Sequence, residues 1–546
     1  MTIIESRVDT RGEDFAKNRA YMEAYVERVR KVEQNQLKTE LAYGPRAAEK
    51  GKLLPRERLA RLLDPGAPFL ELCSIAGHGM FDDSDGSLSG GKLIAGIGFV
   101  SGRRCIVIVW NFAIAGGTID SVNVKKMLRL QRVAFDTRLP VVSLHESGGG
   151  NLAKSSAMMD PWGAALFTEG GSIYATQARL SAAGIPQITV SHGNATAGGA
   201  YQVALSDYIV LVRGKTQLFL AGPPLLEAGT GEIATAEELG GAEMHATQSG
   251  TGEFLAENDA HAISIARGIV ATLPADPCIA REASEPPAHD PEELIGIYPE
   301  DRRQPVRAQE IIARIVDGSR FEEHAPSIDP GTVCGTAAIG GKRVGILSNN
   351  GPITPAGANK AAQFIELCDM RELPLVFLQN TTGFLVGTAV ERAGQVKHSA
   401  KLIQHVANAR GPKLTLLVGN AYGAGNYAMA SRALSPEFVL AWPSARQALM
   451  GGPQAAKVMQ IVTAQKWKRS GIDPDEAMQK KLDGQTQMIQ MGLEMISESM
   501  FCSARLMDDG IIDPRDSRRV LSFLLDTCLE APLRRPVTTS YGVQRL

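Results

Sequence analysis

Short continuous apolar runs alternate along this chain with longer stretches in which apolar residues recur every three to four positions. Runs such as Val141-Val142 and residues 414–418, set between helical stretches, suggest buried strands of α/β units. Helices are predicted over 124–136 and 358–372, each leading into such a run and then into a Gly-rich or Thr-Gly turn. A second helix and strand follow in each case, ending in Ala-Gly-Gly or Ala-Gly-Asn at the start of another helix. Residues 11–64 read as helical and charged. Pro55 suits a first helical turn, and Leu59, Leu62 and Leu63 form a stripe at helical spacing. The Arg and Lys residues of this stretch read as a solvated face. No apolar run approaches the roughly 20 residues of a membrane span; the most apolar stretch, 106–114, ends at Gly116-Gly117.

The two halves of the chain repeat each other. Leu139-Pro-Val-Val-Ser-Leu-His-Glu-Ser-Gly-Gly-Gly150 matches Leu373-Pro-Leu-Val-Phe-Leu-Gln-Asn-Thr-Thr-Gly-Phe384. Gly193-Asn-Ala-Thr-Ala-Gly-Gly-Ala-Tyr201 matches Gly419-Asn-Ala-Tyr-Gly-Ala-Gly-Asn-Tyr427. Offsets of 226 to 234 residues are far too long for a solenoid and imply a duplicated domain. Seven prolines within 274–305 mark the best linker. The expected organisation is an N-terminal domain over 1–273, a Pro-rich linker over 274–305 and a C-terminal domain over 306–546.

Composition narrows the class further. The net charge of −2 leaves no global basic footprint, so nucleic acid is not expected as a partner. The first twenty residues are charged and lack an apolar signal core, from which a cytoplasmic location and no membrane attachment are expected. The seven cysteines are scattered and form no CxxC pair, which argues against a disulfide framework and a zinc site; no metal is expected. Glycine is over-represented, 56 residues, about a tenth of the chain against a usual 7%.

Those glycines cluster where chemistry is expected. Glu146-Ser147-Gly148-Gly149-Gly150 and Thr196-Ala197-Gly198-Gly199-Ala200 each follow a strand, and Thr382-Gly383-Phe384 and Tyr422-Gly423-Ala424-Gly425 are their counterparts. Glycine lets a backbone approach a ligand. The first N–H groups of a helix are unsatisfied donors in a partial positive field, and two aimed at one point form an oxyanion hole. The alternative for any one Gly-Gly is a tight turn; the repetition at equivalent places favours the functional reading. A dinucleotide fingerprint and a Walker A loop are absent. His145 and His192 adjoin the Gly sites and read as structural histidines or as a general base. Two holes without an acid–base pair suit enolate formation at a thioester.

These segments resemble the carboxyltransferase (β) subunit of biotin-dependent acyl-CoA carboxylases. The resemblance runs from Gly51-Lys52 and Pro55-Arg56-Glu57-Arg58 to Asp513-Pro514, through Ser181-Ala-Ala-Gly-Ile-Pro-Gln187, Phe219-Leu-Ala-Gly-Pro-Pro224 and Ala441-Trp-Pro443. It implies an α/β fold of two tandem duplicated crotonase-like (ββα spiral) domains, the first on the acyl-CoA side and the second on the biotin side. It implies an enzyme that moves CO₂ from carboxybiotin to an acyl-CoA. Gly198 and Gly199 would hold the thioester oxygen, with Gly149, Gly150 and Ala200 at the substrate. Ala424 and Gly425 would hold the biotin ureido oxygen, with Thr382, Gly383, Phe384, Tyr422 and Gly423 around the biotin. No Met-Lys-Met biotinylation motif is present, so biotin would arrive on a separate α subunit that carries the biotin carboxylase. The family implies a homo-hexamer core.

The Tyr422 and Gln379 segments resemble the 3-methylcrotonoyl-CoA and geranoyl-CoA branch, which implies branched-chain or terpenoid catabolism. Residues 151–172 depart from that branch. Gly170 falls where methylcrotonoyl enzymes have a bulky aromatic, with Gly171 beside it, so a deeper acyl pocket is expected unless Trp162 or Phe167 refills it. The alternatives are a propionyl- or long-chain acyl-CoA carboxylase subunit and a biotin-dependent decarboxylase subunit running the transfer in reverse. A single-domain hydratase and a non-catalytic ring scaffold fit the duplicated glycine sites less well.

Overall fold

The computed structural model describes residues 2–80, 83–88, 90–149, 161–302 and 304–544, with the backbone alone over 161–168. The chain forms two compact units. One, the N-unit, comprises Arg30–Ile279, Ala504–Leu506 and Asp526–Leu546; the other, the C-unit, comprises Met1–Val29, Ala280–Ser503 and Met507–Leu525. Both ends therefore depart from the expected division at 273 and 306. Thr2–Ile3 (β1) pairs with Arg320–Glu323 (β10) in the C-unit sheet, and Thr539 donates its amide to the Ala182 carbonyl in the N-unit. The Pro-rich segment is packed from Ala280 onward rather than free: Leu294, Ile295 and Tyr298 are buried.

Each unit carries one eight-stranded sheet built to the same plan. In the N-unit, Leu93–Val100 (β3) and Arg103–Trp110 (β4) form an antiparallel hairpin. Val141–Ser147 (β5), Gln187–Thr196 (β6) and Tyr208–Val212 (β7) then add in parallel. In the C-unit, Thr332–Ile339 (β11) and Lys342–Asn349 (β12) form the hairpin. Leu375–Thr381 (β13), Lys413–Tyr422 (β14) and Phe438–Ala441 (β15) follow in parallel. The near-continuous burial of β5 through β7 matches the apolar runs, because parallel strands are covered on both faces. Each fully buried Val, Leu or Ile contributes about 1.5–3 kcal/mol.

Two devices recur in both units and reach further back than the sequence repeat. Both hairpins turn through two residues of positive φ, Ser101-Gly102 and Gly340-Gly341, the geometry that matches strand twist. One carboxylate clamps each turn. Asp64 accepts from the amides of Ser101 and Gly102, at 2.8 and 2.6 Å, and Asp317 accepts from those of Gly340 and Gly341, at 2.8 and 2.7 Å. Each clamp faces an arginine, Arg267 or Arg518.

The middle strand of each parallel set divides one edge between two neighbours. Residues 188–191 of β6 pair with β7, and after a bulge residues 194–196 pair with Gln217–Phe219 (β8). Likewise residues 414–417 of β14 pair with β15, and 420–422 pair with Arg446–Ala448 (β16). Bulges re-aim a strand end. Here they send β6 and β14 to the glycine turns at their tips.

Candidate active site

In the N-unit the turn after β5 meets the turn after β6. A Cβ on Gly149 would lie 3.3 Å from the Thr196 carbonyl, and Gly149 has φ +80. Beyond β6, Ala197 takes φ 53 and ψ −117, the first central position of a mirror-image turn that glycine usually occupies. The helix Gly198–Ala204 starts there. Gly198 and Gly199 are its first residues, so their N–H groups have no intrahelical acceptor. A Cβ on Gly198 would meet the Tyr174 hydroxyl at 2.1 Å, and one on Gly199 would meet His145 Nε2 at 3.3 Å. Ala200 is buried in the same helix.

The C-unit repeats this geometry. Gly423, with φ 59, stands where the N-unit has Ala197, and the helix Gly423–Ala428 follows β14. Ala424 and Gly425 lie in its first turn. A Cβ on Gly425 would sit 2.7 Å from Gly383 Cα, and one on Gly383 would sit 3.3 Å from the Tyr422 carbonyl. The structure thus brings Thr382, Gly383, Tyr422, Gly423, Ala424 and Gly425 into one place. Phe384 packs against the unit's core cluster, so its ring serves packing there.

The turns before the helices are held alike. Ile119 donates its amide to the Gly149 carbonyl and Ile353 donates to that of Gly383, both at 3.0 Å. The Gly149 amide donates to Ser147 Oγ and the Gly383 amide to Thr381 Oγ1, both at 3.2 Å. These two amides are already bonded, which leaves the helix-start amides as the donors a carbonyl oxygen could use. Gly150 lies outside the described residues. Gly170 and Gly171 sit on the helix Pro161–Ala182, one turn before Tyr174, and a Cβ on either would have none of the described residues within 4 Å; the side chains of Trp162 and Phe167, which could refill the space, lie outside the described residues.

Neither histidine can serve as a base at the surface of this site. Burial pushes His145 down to about 3, and it lies against the Trp110 ring. Its Nε2 has no hydrogen-bond partner among the described residues. Burial, joined by the charge of Arg58, pushes His192 down to about 4, and its Nδ1 lies 3.1 Å from Asp259 Oδ1. Both are neutral at physiological pH. Among the described residues no cluster of His, Cys, Asp and Glu is spaced to hold a metal ion.

Most basic residues before residue 64 face solvent as expected, but Lys52, Arg56 and Arg58 do not. Arg58 is wholly buried on the helix Pro55–Leu62. Its guanidinium donates to Glu146 Oε2 at 2.8 Å and to Asp259 Oδ2 at 3.1 and 3.0 Å. Lys52 donates to Glu146 Oε1 at 2.5 Å. Arg56 pairs with Glu71. This buried cluster was absent from the expected site, although a signal for it exists. Glu57-x-x-Ala60-Arg61-x-x-Asp64 repeats as Glu310-x-x-Ala313-Arg314-x-x-Asp317, at an offset of 253. That match extends the duplication to this helix and sets Arg58 opposite Ile311.

Two sheets of one plan, each delivering a glycine turn and a helix start to the same point, define a duplicated crotonase-like carboxyltransferase fold. The carboxyl transferase domain model matches residues 46–540, and the chain belongs to that family. It is similar to the biotin-dependent 3-methylcrotonyl-coenzyme A carboxylase β1 subunit of Mycobacterium tuberculosis, with 44% identity over 92% of each chain. It is 40% identical to the mitochondrial methylcrotonoyl-CoA carboxylase β chain of Arabidopsis thaliana, over 100% of this chain and 92% of that one. Among solved structures it is similar to the β subunit of geranyl-CoA carboxylase from P. aeruginosa, with 51% identity, a TM-score of 0.91 and 100% coverage of both. The resemblance read from the sequence is borne out, and the chain is a carboxyltransferase enzyme subunit.

Proposed function

We propose that this subunit moves CO₂ from carboxybiotin, carried by a separate α subunit with the biotin carboxylase, to a branched, unsaturated acyl-CoA of the geranoyl or 3-methylcrotonoyl kind. The observation that carries this reading is the pair of equivalent turns, Ala197-Gly198-Gly199 and Gly423-Ala424-Gly425, each opening on a residue of positive φ. In each unit two amides of the helix start then have no acceptor among the described residues. The residues fit biotin chemistry in two respects. The backbone of Gly383 fills the room a Cβ on Gly425 would need, leaving a bare-backbone cradle for a carbonyl. The neighbouring histidines are buried and neutral. Bound biotin supplies the activated carboxyl group and, once freed of it, a base for the acyl proton.

The chain's own contribution is to hold negative charge. The amides of Gly198 and Gly199 take the thioester oxygen as the acyl carbon loses its proton, and those of Ala424 and Gly425 take the ureido oxygen. A preformed donor is worth about 10²–10³ in rate. Gly149 and Ala200 line the acyl-CoA side. Gly170 and Gly171 leave it open toward a longer acyl chain, which supports a substrate beyond five carbons. Thr382, Gly383, Tyr422 and Gly423 form the biotin side.

A homo-hexamer core is proposed with this reading. The paired helices Gly452–Arg469 and Glu476–Ile496 expose Val458, Ile461, Val462, Met488, Met491 and Met495, a surface of the kind that a further subunit covers. Seven free cysteines, six of them buried, suit the reducing cytoplasm.

The test is reconstitution with the biotin-carrying subunit, ATP and bicarbonate over a panel of acyl-CoAs. Transfer to geranoyl- and 3-methylcrotonoyl-CoA is expected. Activity confined to acetyl- and propionyl-CoA, or none at all, would overturn the assignment.

A further inference from the structure

Among the described residues the ion cluster behind the N-unit turn has no equivalent at the matching place of the C-unit, although the scaffold around it is duplicated. Glu146 and Asn380 occupy the same place, one residue before Ser147 or Thr381. Each lies against a glycine of the next strand. A Cβ on Gly193 would come within 2.6 Å of the Glu146 carboxyl, and Gly419 is likewise crowded by the Asn380 amide. In the C-unit an amide stands where Glu146 does: Asn380 Oδ1 accepts from the Asn420 amide at 3.1 Å and from the Tyr298 hydroxyl at 3.4 Å. The helix residue opposite Arg58 is the buried aliphatic Ile311. Among the described residues the C-unit therefore fills this place without a carboxylate, the one cation beside it, Arg302, donating to Asn420 Oδ1 at 3.1 Å.

In the N-unit the same pocket holds Arg58, Glu146 and Asp259, exposed by 0%, 6% and 2%. Lys52 binds Glu146. Lys215 Nζ stands 3.8 Å from Asp259 Oδ1 and donates to the Gly51 carbonyl. Asp259 also accepts from the Leu53 amide at 2.9 Å. Three cations face two carboxylates, and His192 is uncharged, so one positive charge is in excess. Buried ion clusters contribute little to stability compared with apolar packing of the same volume, because desolvation offsets the attraction. Ile311 shows that apolar packing is available here. Glu146 is three residues from Gly149, and His192 is six from Gly198, so the cluster grips both strands just before their turns.

Resting on the carboxyltransferase reading, we infer that Arg58, Glu146, Asp259 and Lys52 form a positioning cluster. It fixes the Glu146–Gly149 turn and the tip of β6, and it biases the N-unit site toward negative charge developing on the acyl group. Lys52 and Glu146 act through the turn rather than on the substrate. Their loss is expected to slow transfer without weakening ground-state binding of acyl-CoA.

The test uses the reconstituted complex. Lys52→Met, at a partly exposed position, is expected to lower kcat about 10-fold while KM for acyl-CoA moves less than 3-fold. Lys52→Arg, which restores a donor to Glu146, should return kcat to within 3-fold of wild type. Glu146→Gln, which keeps shape and removes charge, should reproduce the loss, with thermal melts showing that the variant is folded. A Lys52→Met kcat within 2-fold of wild type, or a loss carried by KM, overturns the inference while leaving the carboxyltransferase reading standing. Equal losses in Lys52→Met and Lys52→Arg also overturn it. A wild-type complex inactive on every acyl-CoA overturns the functional reading, and this inference with it.

Discussion

Replacing Gly198 by alanine tests how tightly the acyl-side turn is held. The added Cβ would lie 2.1 Å from the Tyr174 hydroxyl oxygen but 3.4 Å from Tyr174 Cζ. The hydroxyl is therefore the obstacle and the ring is not. Ordinary contact requires a shift of about 1.3 Å, shared between the phenol and the turn. Tyr174 leans edge-on against Tyr201 at 5.7 Å, and such a pair resists displacement by about 0.5–1.5 kcal/mol. Part of the shift then falls on the Gly198–Gly199 amides, and a misplacement of about 1 Å can cost about 10² in rate. Gly198→Ala is expected to lower kcat/KM for acyl-CoA about 100-fold. Tyr174→Phe alone should stay near wild type. The double variant should regain at least about 10-fold, a coupling of about 1.4 kcal/mol or more. The assay is initial-rate carboxylation in the reconstituted complex, with circular-dichroism melts to confirm folding. A double variant as slow as Gly198→Ala would refute the claim that the hydroxyl sets the position of the turn.

Gly425→Val is expected to abolish transfer, because its Cβ meets the backbone of Gly383 at 2.7 Å, whereas Gly199→Val meets the His145 ring first, at 3.3 Å, and should retain more activity; near-normal turnover in both would refute the two-donor assignment. Gly170→Phe should cut activity on geranoyl-CoA at least about 10-fold more than on 3-methylcrotonoyl-CoA, since each buried methylene is worth about 0.8 kcal/mol; equal losses in a substrate panel would count against the deep pocket. His145 and His192 are held neutral in the fold, so the unfolded chain takes up their protons first. Stability should therefore fall as pH drops from about 6.5 to about 4, by a few kcal/mol, and His145→Leu should flatten that fall in denaturant titrations. Asp508, raised to about 6 by burial, acts in the opposite sense and should lose its contribution as pH rises from 3.8 toward 6. Light scattering of the isolated subunit should report a hexamer, and a fully active monomer would refute that assembly.

The local signals in the sequence were read well. Helices expected over 124–136 and 358–372 occur as Ser121–Thr137 and Pro355–Met370, since helical periodicity and N-terminal caps such as Asp120 and Thr354 are written in neighbouring residues. The candidate donors at 198–199 and 424–425 stand at helix starts because a glycine-rich turn after a strand is equally local. The burial of Arg58 was not legible. Arg58 is buried by Glu146 and Asp259, 88 and 201 residues away, and a charged helix face looks the same in sequence whether water or a carboxylate covers it.

The sequence by itself determined the duplication, the glycine turns and the kind of chemistry they serve. Repeats and turn residues depend on identities within a few positions, and they survive whatever packs around them. Only the tertiary structure decided which ends of the chain complete which unit, with Thr2–Ile3 joining the C-unit sheet and Asp526–Leu546 joining the N-unit. It alone showed that the two copies diverge behind their turns, with Arg58 and Glu146 in one and Ile311 and Asn380 in the other. Those outcomes follow from long-range pairing and desolvation. A two-residue strand has no signal of its own until a partner edge accepts it, and a buried charge is tolerated only where distant counter-charges converge on it.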